Sequence, residues 1–163
     1  MGRGATKAKG NRWFEARIEA AKWNERLSSR AGAADEMGLS EDAIKSAELG
    51  LYKAMPVENA VLMADCYGAP ELKNYYCLFE CPIGKDHAIS TEVNSIDRLT
   101  VKTLKLLRLS DLESFKERLL DISADGKVDK NEIDELEECV SYLDDVAKIA
   151  SELKILVGRL KER

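Results

Sequence analysis

The segment that most limits how this chain can fold is residues 29–50, which read SRAGAADEMGLSEDAIKSAELG. Ser29 and Ser40 stand where helices would begin, and serine is a favoured N-cap because its hydroxyl accepts a hydrogen bond from a free backbone N–H. Gly38 and Gly50 stand where the helices would end, since glycine adopts a positive φ at little cost. The segment therefore predicts two short helices, residues 30–37 and 41–49, joined by a tight turn.

Small and apolar side chains would hold these two helices together. Ala33 and Ala34 are small enough for close contact, and Leu39, Ile44 and Ala47 supply an apolar surface between the helices. Helical patterns also flank the segment. A first helix from Trp13 is expected to turn apolar residues inward: Phe14, Ile18, Ala21 and Leu27. Pro56 and Pro70 suit the first turns of a fourth and a fifth helix. The expected inward residues of the fourth helix are Val57, Val61, Leu62 and Cys66.

This order of caps, turn glycine and core positions resembles the XRE group of lambda-repressor/Cro-like helix-turn-helix regulators. The continuation PVENAVLMADCYGAPEL is similar to the fourth and fifth helices of that group. The resemblance implies an all-α chain with a five-helix DNA-binding domain, in which the start of helix two and the exposed face of helix three meet double-stranded DNA. The corresponding positions here are Ser29, Arg30, Ser40, Glu41, Asp42, Lys45 and Ser46.

Two of these positions depart from the family pattern. The family often has glutamine or another neutral polar residue where Arg30 stands. Glu41 and Asp42 suit the positive end of a helix dipole, but they repel phosphate. A carboxylate can nevertheless accept a hydrogen bond from cytosine N4. A helix-turn-helix fold that contacts protein and not DNA is the alternative, because a fold does not fix a function.

The rest of the chain predicts a second helical region. We expect a flexible basic arm over residues 1–12, the helix-turn-helix domain over 13–80, a linker loop over 81–89 and a long helical hairpin over 90–163. The first helix of the hairpin would run from Ser90 to about Leu109 and restart at a capping box of Ser110 and Glu113. Apolar residues three or four apart in the last helix, from Ile133 to Leu160, favour a hairpin or coiled-coil seam and hence a homodimer.

Residues 121–132, DISADGKVDKNE, resemble an EF-hand calcium loop. Oxygen ligands at this spacing can wrap a hard cation, with Gly126 permitting the sharp turn. The candidate ligands are Asp121, Ser123, Asp125, Asp129 and Glu132. Helix caps explain much of the same pattern, with Gly126 ending one helix and Asp129 and Glu132 beginning the next. A calcium-responsive helical protein is therefore only a third interpretation, and we expect no obligatory cofactor.

The cysteine and histidine residues do not indicate a metal site or a catalytic site. Cys77, Cys81 and His87 are spaced too loosely for an ordinary zinc site, and Cys66 is expected to be a buried thiol. His87 is the only histidine and has no nucleophile at a diagnostic spacing, so we expect no enzyme.

Charge and hydropathy limit the location and the partners that can be expected for this chain. The net charge is −5, yet residues 1–30 carry eight Lys or Arg against three Glu, which leaves room for one basic face. No apolar run is long enough to span a membrane. These features favour a cytoplasmic protein, and the resemblance to XRE regulators implies a DNA-binding regulator of the repressor type, of the kind that phages and mobile elements carry.

Overall fold

The structure is a computed structural model that describes residues 7–84 and 87–161. Within these residues every regular element is a helix and no strand occurs. The prediction of an all-α chain is therefore confirmed. No helix among the described residues combines the length and the apolar character that crossing a membrane requires.

Five α-helices and two shorter helical turns form the first part of the chain. Helix α1 is Arg12–Ala20, and a 3₁₀ turn follows at Glu25–Ser28. Helix α2 is Arg30–Met37, α3 is Glu41–Glu48, and α4 is Val57–Cys66. Helix α5, Glu71–Tyr75, continues into a π-helical segment, Tyr76–Glu80. The second part holds α6 (Ile96–Leu106), α7 (Leu109–Ile122) and α8 (Ile133–Lys161).

The chain divides into two compact units. We call Met1–His87 with Val157–Arg163 the N-terminal unit, and Ala88–Leu156 the C-terminal unit. The break after His87 falls inside the loop that the sequence predicted as a linker. The last residues of α8 belong to the N-terminal unit, whereas the sequence suggested that the hairpin would include the whole C-terminus.

The core of the N-terminal unit is built largely from alanine, which lets its helices approach closely. Buried alanines come from α1 to α4, and the larger side chains that fill the remaining space include Trp13, Leu27 and Ile44. Helix α2 packs against the 3₁₀ turn, α3 and α4, and α1 packs against α3. The small helix-two residues expected from the sequence, Ala33 and Ala34, are both buried.

The inward faces of α1 and α4 differ from those expected. Ile18 in α1 is exposed, as are Val57, Val61 and Leu62 in α4. Helix α4 instead buries Ala60, Met63 and Ala64, and Tyr67 follows on the same face. Helix α1 instead buries Trp13, Arg17 and Ala20, and α4 buries the second of two adjacent apolar stripes. Apolar periodicity alone could not choose between two such stripes.

The described part of the predicted flexible arm is folded. Residues 7–10 form a turn, and Ala8 is buried with only 1% of its surface exposed. The Asn11 side chain caps α1 and also donates from Nδ2 to the Ala47 carbonyl of α3 at 3.0 Å. The sequence did not predict these contacts, because this region has few apolar residues and the contacts are made by one alanine and one asparagine. Residues 1–6 lie outside the described residues.

In the C-terminal unit the helices begin later than expected. Residues 88–95 are not helical, because this segment bonds to α8: the Ser90 backbone N–H donates to Ser151 Oγ at 2.7 Å. Ser95 caps α6 in place of Ser90. The capping box predicted at Ser110 and Glu113 is wrong, since Arg108 occupies the N-cap of α7 and makes no side-chain cap bond.

Helices α7 and α8 run antiparallel along part of their length. The Phe115 and Tyr142 rings lie 5.2 Å apart between centroids, and one turn further along α7, Arg118 pairs with Glu138 of α8. Contacts nearer the C-terminus of α7 are made with residues nearer the N-terminus of α8, as in an antiparallel pair of helices. Few side chains of this unit are fully buried, and Leu99, Ile122, Cys139 and Ile155 are the apolar ones.

Candidate nucleic-acid interface

The candidate interface is built on the turn between α2 and α3. Ser29 Oγ accepts a hydrogen bond from the Gly32 backbone N–H at 3.0 Å, and Ser40 Oγ accepts one from Ala43 at 3.1 Å. Gly38 ends α2 with φ at 65°, a conformation that favours glycine. The predicted caps and turn are thus confirmed, and they bring the start of α3 directly after the end of α2.

Helix α3 has a buried and an open face. Ile44, Ala47 and Glu48 on the inner face are each no more than 4% exposed. On the outer face Glu41, Asp42 and Lys45 are exposed, and Ser46 is half-buried. These four residues are the ones that the family resemblance assigned to helix three. They share one surface because residues three and four apart on a helix lie side by side, as Asp42 does with Lys45 and Ser46, and Glu41 with Lys45.

The outer face carries charges of both signs. The Asp42 side chain is 81% exposed and that of Lys45 is 49% exposed, with Lys45 Nζ 3.4 Å from Asp42 Oδ1. A pair at this distance and exposure contributes little to stability. Both side chains are therefore free to turn toward another molecule at small cost.

Arg30 does not project freely into solvent, as a side chain that reads a base edge would. Its Nε donates to Glu48 Oε2 at 2.7 Å, and 28% of its side chain is exposed. Glu48 is itself almost completely buried, and its other oxygen, Oε1, accepts from Arg17 Nε at 2.5 Å. Arg30 thus serves first to neutralise a buried carboxylate of α3, and only the remaining donors of its guanidinium can meet a ligand.

The pair of Arg17 and Glu48 was missed in the sequence. Arg17 lies on the buried side of α1, between Trp13 and Ala20, and its Nη1 also donates to the Leu27 carbonyl at 2.8 Å. Charged residues on helices are usually solvated, so the pattern of α1 offered no reason to bury Arg17. The consequence for the interface is that α3 is tied to α1, α2 and the 3₁₀ turn through one carboxylate.

A groove of about 440 Å³ adjoins the outer face of α3 through Ser46. Its walls include Trp13, Tyr75 and Phe79, whose rings contact in series with centroid distances of 6.2 and 4.9 Å. Lys53, an exposed residue of the loop after α3, lines the same groove. Lys53 was not among the predicted site residues, because the family resemblance was carried over only to helices two and three.

The candidate calcium loop uses its acidic residues as helix caps. Asp129 Oδ1 accepts from the backbone N–H of Glu132 at 3.2 Å, and Glu132 Oε2 accepts from that of Asp129 at 2.9 Å. This reciprocal pair is a capping box. Asp125 accepts from the Lys127 backbone, and Ser123 donates to the Leu120 carbonyl. Asp121 lies in the last turn of α7.

The described residues form no metal site. No three His, Cys, Asp or Glu side chains in residues 7–84 and 87–161 are placed to hold one ion. The four cysteines are free thiols, and Cys77 and Cys81 are half-buried. Burial, with a smaller effect of Glu36, raises the pKa of the Cys66 thiol. Cys66, which the sequence predicted to be buried, is half-buried, and this shift favours its protonated thiol over the thiolate that binds metals.

Comparison with protein-family models, with curated proteins and with solved structures finds no significant match to this chain.

Proposed function

We propose that this protein is a sequence-specific DNA-binding regulator of the repressor type, with α3 as the helix that reads the major groove. The observation that carries the proposal is the arrangement of α3. Its inner face is fixed by Ile44 and the buried Glu48, and its outer face is left open directly after a glycine turn. A short helix held in this way is the element that helix-turn-helix proteins place against base edges.

Each residue of the outer face has a distinct role in this proposal. Lys45 binds a phosphate, and Ser46 donates to a base edge or a phosphate. Asp42, whose side chain is 81% exposed, accepts from cytosine N4. Glu41 repels the phosphate backbone of every sequence, so that binding depends more on the base contacts of its neighbours. Ser29 and Ser40 lie at the helix N-termini, where backbone N–H groups favour phosphate.

A protein-interaction module is the second candidate, and the placement of Arg30 favours it. Because Arg30 is bonded to Glu48, the charge that α3 and its surroundings offer a ligand is less positive than the sequence suggested. The outer face of α3 begins with two acidic residues, Glu41 and Asp42. It therefore suits a basic protein surface better than a polyanion such as DNA. A basic segment of another protein would be the partner in that case.

We further propose that the C-terminal unit makes the protein a homodimer in the cytoplasm. Large apolar side chains on all three of its helices are at least half exposed, for example Leu104, Leu120 and Val140. Surfaces of this kind mark association sites. Free thiols are what a reducing compartment maintains. A two-fold dimer would present two copies of α3 to two half-sites.

Selection of bound sequences from a random oligonucleotide pool tests the proposed function. Enrichment of a defined motif, with two half-sites related by a palindrome, is the expected result. Failure to enrich any motif, by protein that is folded according to circular dichroism, would overturn DNA reading and favour the protein-interaction module. Sedimentation of the full chain at tens of micromolar, a range suited to weak association, tests the dimer, and a monomer there contradicts it.

A further inference from the structure

Helix α8 carries an apolar strip that the C-terminal unit leaves uncovered. On its inward side, Cys139 is buried and Tyr142 contacts the Phe115 ring. A second set of residues, spaced alternately three and four apart, lies on another face. We call this set the α8 strip: Ile133, Leu136, Val140 and Leu143. Ile133 is 45% exposed, and Val140 and Leu143 are each 51% exposed.

The surroundings of the α8 strip are strongly acidic. From Ile133 to Lys148 the helix carries six Asp or Glu residues against one lysine. Glu137 and Asp144 border the groove that runs beside the strip, and neither makes an ion pair within the described residues. Two copies of this strip pressed together in parallel would bring the same acidic stretches side by side, which is unfavourable. The strip therefore fits a basic, amphipathic helix.

Helix α6 offers such a surface in the same unit. Its inward side is Leu99, which is fully buried, and Lys102, which bonds to Glu152. Its outward side exposes Val101 and Leu104, which are 53% and 68% exposed. Arg98 and Lys105 lie one turn before and one turn after Val101, and neither forms an ion pair with another described residue. The outward side of α6 thus has an apolar centre and one basic edge, with the exposed Asp97 carboxylate one turn before Val101.

We propose that α6 of one copy docks on the α8 strip of a second copy, and that the second copy returns the same contact. Val101 and Leu104 then cover Val140 and Leu143, while Arg98 and Lys105 face Glu137 and Asp144. Opposite charges at the edges of an apolar contact set its orientation and suppress other pairings. A reciprocal contact of this kind closes under two-fold symmetry. The inference rests on the proposed homodimer and names its surface.

The size of the contact sets the strength of the dimer. Eleven residues of α6 span roughly 16 Å, and a helix is about 10 Å wide. Two such contacts bury less than the area of about 1,200 Å² that a stable, specific interface needs. The dimer is accordingly weak, and it loosens as salt screens the charged edges.

Charge reversal across the contact tests the proposal. The full chain is studied by sedimentation equilibrium, without DNA, at concentrations up to about 100 µM and at low and high salt. Lys105→Glu and Glu137→Lys should each weaken the dimer by about tenfold or more, because each change acts in both contacts. The double variant should recover to within about threefold of the natural protein. Lys127→Glu and Glu25→Lys, exposed residues outside α6 and the α8 strip, are controls of matched charge.

Three results would overturn the proposed surface. The single variants could dimerise as the natural protein does, the double variant could fail to recover, or Glu137→Lys alone could strengthen the dimer. The last result would point to pairing of two α8 strips. In each case a dimer still seen with the natural protein would leave the proposed homodimer intact, and the selection of DNA sequences is measured separately. Circular dichroism of every variant confirms that the helices are retained.

Discussion

At the scale of single residues, two tyrosines show how burial and hydrogen bonding act separately. The Tyr67 hydroxyl is buried and has no hydrogen-bond partner within the described protein. Burial, reinforced by the nearby Glu48, raises the pKa of Tyr67 above its usual range. The Tyr76 hydroxyl, by contrast, donates to the Met55 carbonyl at 3.0 Å. A buried hydroxyl without a partner costs free energy, whereas a bonded one contributes about 1 kcal/mol.

Tyr67→Phe should therefore leave the free energy of unfolding unchanged or raise it at pH 7, while Tyr76→Phe should lower it by about 1 kcal/mol. Above pH 10, where an unfolded tyrosine ionises, the raised pKa of folded Tyr67 makes the natural protein lose stability as the pH increases. Tyr67→Phe should lose less over that range. Urea unfolding at pH 7 and pH 10.5 measures both effects. A loss at Tyr67 larger than that at Tyr76 would contradict the account.

Glu48 is the residue on which the position of α3 depends most. Glu48→Ala leaves the buried Arg17 without its carboxylate, so the free energy of unfolding should fall by about 3–5 kcal/mol. Arg30→Ala should cost less, since Arg30 is partly exposed and Arg17 still neutralises Glu48. Urea unfolding followed by circular dichroism compares the two variants. The proposed network is wrong if Arg30→Ala proves the more damaging change.

At the scale of helices, the close contact between α2 and the 3₁₀ turn depends on Gly32. A methyl group at this position would overlap the backbone carbonyl oxygen of Arg26. Gly32→Ala should therefore lower the free energy of unfolding by roughly 1–3 kcal/mol, as overpacking does, although alanine is the better helix former. Ala31→Gly, the exposed neighbour, should cost only about 1 kcal/mol. Thermal unfolding of both variants is the measurement, and a stabilised Gly32→Ala protein would contradict the packing.

Lys102 connects the segment before α6 to α8 in the C-terminal unit. Its ammonium donates to Glu92 at 2.8 Å and to the buried Glu152 at 3.0 Å. Lys102→Met should destabilise this unit by roughly 1–3 kcal/mol, because Glu152 keeps only Asn94 as a charge-stabilising donor. Hydrogen exchange should show faster exchange at the Ser90 amide, which bonds to α8. Unchanged exchange there would contradict the proposed connection.

The same lysine gives the connection a pH dependence. The hydrogen bond from Lys102, with a second from Asn94, lowers the pKa of the Glu92 carboxyl below its ordinary value of 4.5. The stability from this bond is therefore present above pH 4.5 and is lost as the pH falls through the lower folded value. Exchange at Ser90 in the natural protein should accelerate in that acidic range. Lys102→Met should show a smaller step, because the hydrogen bond from Asn94 to Glu92 remains.

Local signals in the sequence predicted the helices better than they predicted which side of each helix is buried. Ser29, Gly38 and Ser40 act through their own backbone neighbourhood, so the bounds of α2 and the start of α3 were predicted correctly, while α3 ends at Glu48, one residue before the predicted end. The burial of Arg17 depends on groups distant in the chain. Nothing within one turn of Arg17 indicates that a carboxylate 31 residues away will meet it.

At the scale of the whole molecule, charge is divided between the two units. Residues 88–156 carry sixteen Asp or Glu against ten Lys or Arg, and this excess exceeds the net charge of −5 of the entire chain. The rest of the chain is therefore slightly basic. Under the proposed function, DNA meets the N-terminal unit, and the acidic C-terminal unit repels it and is left for association.

Binding of Lys45 variants to a selected duplex tests the central claim most directly. Fluorescence anisotropy across a series of salt concentrations measures affinity and its salt dependence. Lys45→Ala should weaken binding to all sequences and reduce the salt slope by about one counterion, because one phosphate contact is lost. Lys22→Ala, at an exposed lysine two residues past the end of α1 and outside α3, should change neither quantity. Wild-type affinity and an unchanged salt slope in folded Lys45→Ala would contradict the proposal that α3 reads DNA.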